Sequence, residues 1–192
     1  MDLEKIRFKS DFLRFKYINK YLKGERVLDL ASTEGFVHGL LEKNNSQKKF
    51  FSCDFKNSDF NRDLNEPFKI DQEFDTIVAG EIIEHIENPS FFIKECKKML
   101  KKKGRLILTT PNAVGLQYLK NPSWCIENYS APEHISCFTL PMIRGLLIKH
   151  GFKIVKEDSI NAFWINNPLQ IVSLLIKRLR TDLFLVADKI EK

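Results

Sequence analysis

No apolar run in this sequence approaches the ~20 residues needed to cross a bilayer, so no segment reads as a membrane-spanning helix. The opening MDLEKIRFKSDF is charged rather than apolar and does not read as a secretory signal. Cysteine is scarce. The four are Cys53, Cys96, Cys125 and Cys137, and no pair has the CxxC spacing of a zinc knuckle or redox couple. Free thiols without a signal peptide imply a reducing, cytoplasmic setting. No internal repeat, low-complexity tract or basic–aromatic stripe is present, and that last absence argues against a dedicated nucleic-acid face. The net charge of +6 comes mostly from lysine, often in short runs such as 101–103 that read as solvated helix ends. A positive balance also suits nucleic acid, anionic lipid or an anionic small substrate.

What is present fits one globular domain: 192 residues, 43% hydrophobic and 29% charged. Ile6, Phe8, Phe12, Phe15, Ile18 and Leu22 recur at spacings near three and four, predicting a leading amphipathic helix over 3–22 that Gly24 stops. Apolar runs predict strands at 26–30, 49–53, 74–79, 105–110, 153–158 and 182–187. Helical periodicity predicts helices at 35–43, 90–100, 140–150 and 168–180, with Gly104 and Gly151 closing the second and third. Residues 55–73 read mostly as loop, with room for one short strand before Asp63, and 111–132 as irregular chain. Alternating strands and helices imply a parallel sheet covered on both faces. Ligands bind such sheets at the carboxyl ends of the strands, near the switch point, which selects 29–35, 53–55, 79–85 and 110–112.

Chemistry concentrates at those places. In RVLDLASTEG, Asp29 ends a strand and Gly35 opens a helix, whose amides can face the polar end of a ligand. Such loops usually carry three glycines, but this one has Ala31, Thr33 and only then Gly35. The β-branched Thr33 resists positive φ and crowds a ligand lying on the backbone. Asp54, at the next strand end, can accept from both hydroxyls of a ribose, although lone acids after strands are also common turn residues. In FDTIVAGEIIEHIENP, Glu81, Glu84 and His85 stand at i, i+3 and i+4. A helical turn beginning at Gly80 would face all three one way. They could then hold a divalent cation, supply a general base, or merely cap and pair locally. His134, in APEHISCF, could join them from the irregular stretch.

Taken in order, VLDL with its following loop, Cys53-Asp54, DLNEP, FDTIVAGEIIEHIENP, LKKKGRLILTTPN and PEHISCFTLPMIRGLLIKHGF resemble the class I S-adenosylmethionine-dependent methyltransferases over about 26–155. The likeness is closest to the group holding the ubiquinone-pathway O-methyltransferases and many sugar and lipid methyltransferases. It implies an α/β fold, a Rossmann-like doubly wound seven-stranded sheet, mostly parallel with an antiparallel last strand, which 182–187 fits. A single domain over 1–192 would carry a leading helix in 1–24 and acceptor-side segments at 111–135 and 159–181.

The resemblance also implies S-adenosyl-L-methionine as cofactor. Asp29, Ala31, Thr33 and Gly35 would surround its methionine part, Asp54 would take the ribose, Asp63 and Leu64 would lie beside the adenine, and Glu81 under the sulfonium. Catalysis would fall to His85, His134 and Glu81, with either histidine as general base. Mg²⁺ or Mn²⁺ would sit at Glu81, Glu84, His85 and His134. Two departures stand out: Ala31-Ser32-Thr33-Glu34-Gly35 replaces Gly-x-Gly-x-Gly, and 54–63 is too short for the family's usual helix.

The expected activity is methyl transfer to an oxygen or nitrogen of a small, lipid-linked or glycan-linked acceptor. The alternatives are an RNA methyltransferase and a non-catalytic, methyltransferase-fold binding or regulatory protein. Asn112, Trp124, Tyr129, Phe163 and Trp164 are candidates for an acceptor pocket, or for core. In PLQIVSLLIKRLR, the stripe Ile171, Leu174, Leu175 and Leu179 suits a lid, a dimer contact or peripheral contact with a membrane surface. Packing on the domain is the preferred reading.

Overall fold

The computed structural model describes residues 3–32, 35–116, 134–161 and 169–191. Thr33, Trp124, Tyr129, Phe163 and Trp164 lie outside them. In chain order the elements are α1 (Leu3–Tyr21), β1 (Arg26–Leu30), α2 (Phe36–Asn44), β2 (Lys49–Asp54), β3 (Phe60–Asn61), β4 (Phe74–Gly80), a 3₁₀ turn (Ile83–His85), α3 (Pro89–Met99), β5 (Leu100–Pro111), α4 (Leu140–Lys149), β6 (Phe152–Ile160), α5 (Leu169–Leu175), a 3₁₀ turn (Lys177–Leu179) and β7 (Asp182–Lys189).

The strands form one seven-stranded sheet in the order β3-β2-β1-β4-β5-β7-β6. All pairings are parallel except those of β7, which runs antiparallel between β5 and β6. The continuous apolar runs of the central strands follow from burial on both faces. Leu28, Ile77, Leu106 and Leu185 pack with Phe92, Ile93 and Cys96 of α3 and Ile143 and Leu147 of α4. Their neighbours one residue away, Val27, Val78, Ile107 and Phe184, face the other side, against Phe15 and Ile18 of α1 and Leu41 of α2. The start of α3 follows from its first residues. Asn88 accepts the Phe91 amide as N-cap, and Pro89 fits the first turn. Among the described residues, no helix is long and apolar enough to cross a membrane.

Three expectations fail here. β5 begins at Leu100, not Arg105, so the 101–103 lysines are no helix end. Buried Leu100 pairs with Phe74, and the chain leaves the helix one residue after Met99. The helix expected over 168–180 stops at Leu175. Buried Asn112 donates to the carbonyls of Arg178 (2.9 Å) and Arg180 (2.7 Å), which pulls the following residues into a 3₁₀ turn. Nor does its stripe pack as preferred, because Leu174 and Leu175 are 60% and 80% exposed.

Gly24 is required where α1 turns into β1. Its φ is +67°, and a Cβ there would lie 2.2 Å from the Cβ of Asp75. That aspartate accepts the amides of Glu25 (3.0 Å) and Arg26 (2.9 Å) and so starts the strand. Gly24→Ala should therefore cost about 2–3 kcal/mol in urea denaturation, combining left-handed strain with a forced shift of Asp75. A loss below about 0.5 kcal/mol would show that the turn relaxes freely.

Candidate functional site

The chain leaves β1 outward through β2 and β3, then returns to β4 on the other side of β1. The switch point thus lies at the carboxyl ends of β1 and β4. Among the described residues of the loop after β1, Ala31 (φ 58°) and Gly35 (φ 62°) are left-handed. The Ala31 amide donates to the Cys53 carbonyl (2.9 Å) and the Gly35 amide to that of Ser32 (2.7 Å). A Cβ on Gly35 would meet nothing within 4 Å, so open space adjoins the loop there. Ala31 holds a conformation that costs an L-residue about 1–2 kcal/mol.

Asp29 is buried, and its Oδ2 lies 3.2 Å from Nδ1 of His38 on α2. Burial pushes the Asp29 carboxyl up against the pull of that bond, and the same bond raises His38. Asp54 ends β2. Its Oδ1 accepts the Phe55 amide (2.6 Å), and its own amide donates to Ser58 Oγ (3.0 Å). No helix separates β2 from β3, as the short spacing predicts. Asp63 is exposed and accepts the Asn65 amide (2.9 Å), while Leu64 is buried. Asn65 in turn accepts the Glu87 amide (2.9 Å), tying DLNEP to the chain beyond the 3₁₀ turn.

The helical turn expected from Gly80 does not form. The strand runs through Gly80, the Glu81 amide donates to the Thr109 carbonyl (3.0 Å), and Glu81 itself is left-handed at φ 52°. Backbone so held for a bulky residue stores strain of about 1–3 kcal/mol. Glu81 consequently parts from Glu84 and His85. Its Oε2 accepts from Arg14 of α1 at 3.0 Å, and Arg14 also reaches Asp11 (2.9 Å) and Asp182 at the start of β7 (3.2 Å).

Glu84 is 1% exposed and accepts from Thr110 Oγ1 (2.9 Å). Its carbonyl accepts the amides of Ile135 (2.9 Å) and Ser136 (3.1 Å), which delivers His134 to it. The His85 and His134 rings meet edge-on with centroids 4.6 Å apart. Ligand atoms of Glu84, His85 and His134 all lie within 4.8 Å of one another, a set without Glu81. Burial lifts the Glu84 carboxyl to about 7, and burial lifts Glu81 well above the usual range despite Arg14.

Sequence reasoning did not find Arg14, His38, Thr110 or Asp182. Arg14 had a signal: a cation one turn before Ile18 on an apolar helix face. Asn112 is no pocket wall, since its side chain clamps the chain around Arg178.

The profile of a family described as a methyltransferase domain matches residues 7–157. The ubiquinone biosynthesis O-methyltransferase of Pelagibacter ubique is 35% identical over an alignment of 119 residues, taking in 50% of this chain and 49% of that protein. Its counterpart in Coxiella burnetii is 28% identical over 128 residues, taking in 56% and 53%. The chain thus spans about half the length of these curated relatives. A SAM-dependent methyltransferase structure from Archaeoglobus fulgidus superimposes with a TM-score of 0.69, covering 95% of this chain and 94% of that one at 18% identity, a likeness of fold.

Proposed function

This chain belongs to the methyltransferase domain family, and we propose that it transfers the methyl group of S-adenosylmethionine to an oxygen of a small or lipid-linked acceptor. The observation that carries the reading is the switch-point edge: left-handed Ala31 and Gly35 after β1, open space beside Gly35, and an acid, Asp54, at the next strand end. The relatives named for ubiquinone biosynthesis O-methylation favour oxygen over nitrogen and a lipid-linked acceptor over a glycan or RNA.

The residues present fit the methyl donor. Asp54 would accept from the ribose hydroxyls, Leu64 would lend an apolar surface to the adenine with Asp63 at its rim, and the 31–35 backbone would meet the methionine end. When bound, S-adenosylmethionine supplies an electrophilic methyl carbon on a positively charged sulfur. Glu81 and Glu84 each add an unpartnered carboxyl oxygen to this edge beside the Arg14–Asp182 pair. His85 or His134 would take the acceptor's proton as general base, and alignment of the reactants would supply most of the acceleration.

A second reading concerns metal, and Glu84, His85 and His134 favour it by their convergence and by the buried, unpartnered Oε1 of Glu84. They would hold Mg²⁺ or Mn²⁺ without help from Glu81.

Calorimetric titration with S-adenosylhomocysteine, with and without Mg²⁺, tests both readings. Micromolar binding is expected, with Asp54→Ala weakening it about tenfold or more through loss of charged hydrogen bonds. Tighter binding with Mg²⁺, lost in Glu84→Ala, would support the metal. No binding under either condition would transfer the chain to the non-catalytic alternative.

A further inference from the structure

The connection between β6 and β7 turns apolar side chains outward. Leu174, Leu175 and Ile176 are all exposed, with Lys177 and Arg178 exposed directly after them. No acidic residue lies anywhere in 169–181. The segment is held from behind. Asn112 donates to the carbonyls of Arg178 and Arg180, Asn161 donates to Ser173 Oγ (3.0 Å), and Arg180 donates to the Ser159 carbonyl (3.0 Å). Chain tethered in this way presents its leucines to solvent as a fixed feature.

Its place in the fold adds a second observation. Because β7 is antiparallel to both β5 and β6, β6 runs with β5, and this connection lies on the carboxyl edge. Other exposed large apolar residues belong to the same edge: Phe55 after β2, Val114 after β5, and Ile135, whose amide meets the Glu84 carbonyl. Apolar side chains with cations beside them match an anionic bilayer. The leucines enter the acyl boundary while the cations meet lipid phosphates.

We propose that residues 174–178 dock this chain on an anionic lipid surface and so set the carboxyl edge against the bilayer. Docking stands without methyl transfer. It deepens the proposed function, and rests on it, only in favouring an acceptor held in the membrane.

The test is flotation of the full chain with vesicles of phosphatidylcholine, with and without phosphatidylglycerol. Partitioning is expected only with the anionic vesicles and should fall as salt rises. Leu174→Ser/Leu175→Ser and, separately, Lys177→Gln/Arg178→Gln should each reduce it about tenfold or more. The charge variant keeps the inference testable should the serine variant not fold. Equal partitioning into neutral vesicles, no partitioning, or full binding by both variants would overturn the inference. So would size-exclusion showing a dimer that the serine pair dissolves, which would assign the patch to a second copy. S-adenosylhomocysteine titration of the same samples separates failure of docking from failure of the methyl-donor reading.

Discussion

Arg14→Met is expected to cost about 3–5 kcal/mol of folding stability at neutral pH. The guanidinium is the common partner of Asp11, Glu81 and Asp182, and Asp182 is fully buried. Methionine keeps much of the apolar stem but leaves carboxylates inside the protein without their counter-charge. Removing one member of a buried ionic group is costly for that reason, even where replacing the whole group would not be. The expected signature is a double-mutant cycle. Asp182→Asn in the Arg14→Met background should recover about 1 kcal/mol or more, because it removes the buried acid that lost its partner. Urea denaturation of the four proteins measures it. A single-mutant cost under about 1 kcal/mol, or strict additivity, would show that the network adds nothing to stability. The cluster also explains how a helix outside the alternating βα pattern belongs to the domain. Arg14 ties α1 to the ends of β4 and β7, while Phe15 and Ile18 pack on the sheet beside it.

Much of the fold is legible because the central strands are buried on both faces and so read as unbroken apolar runs. Val27 to Leu30 and Ile77 to Ala79 need no partner to be recognised. The antiparallel β7 is legible only through family resemblance, since strand direction leaves no mark on local composition. Where tertiary bonds override local period, the reading fails. The i, i+3, i+4 spacing of Glu81, Glu84 and His85 suits a helix, yet Thr109 pairs with the Glu81 amide and extends the strand past Gly80. The 168–180 periodicity likewise yields to Asn112, far away in sequence. In the loop, the sequence singles out Thr33, which lies outside the described residues, and passes over Ala31, which is left-handed. Which residue of a short loop takes positive φ depends on bonds such as that from Ala31 to the Cys53 carbonyl, which the sequence does not display.

Glu84→Gln should change how stability depends on pH. Burial holds the Glu84 carboxyl at about 7, above its ordinary 4.5. Below the ordinary value both folded and unfolded chains carry the proton, and the group favours neither. As pH rises from 4.5 toward 7, the unfolded chain releases the proton while the folded chain keeps it. Unfolding is then favoured progressively, and stability falls. Above 7 the penalty is complete, roughly 3 kcal/mol for a shift of this size. Glutamine cannot ionise, so the variant should be more stable than the parent at pH 8, nearly equal to it at pH 4.5, and flatter in between. The slope will not vanish, because half-buried Glu81 and buried Asp29 are raised too and act in the same direction. The isostere can still accept from Thr110 Oγ1 and can turn its amide toward the now unpartnered Oε1 position. Denaturation curves at several pH values, in EDTA so that no metal holds the carboxylate, measure the effect. Parallel curves for parent and variant would mean that the Glu84 carboxyl titrates alike in the folded and unfolded chains, so that burial does not raise it.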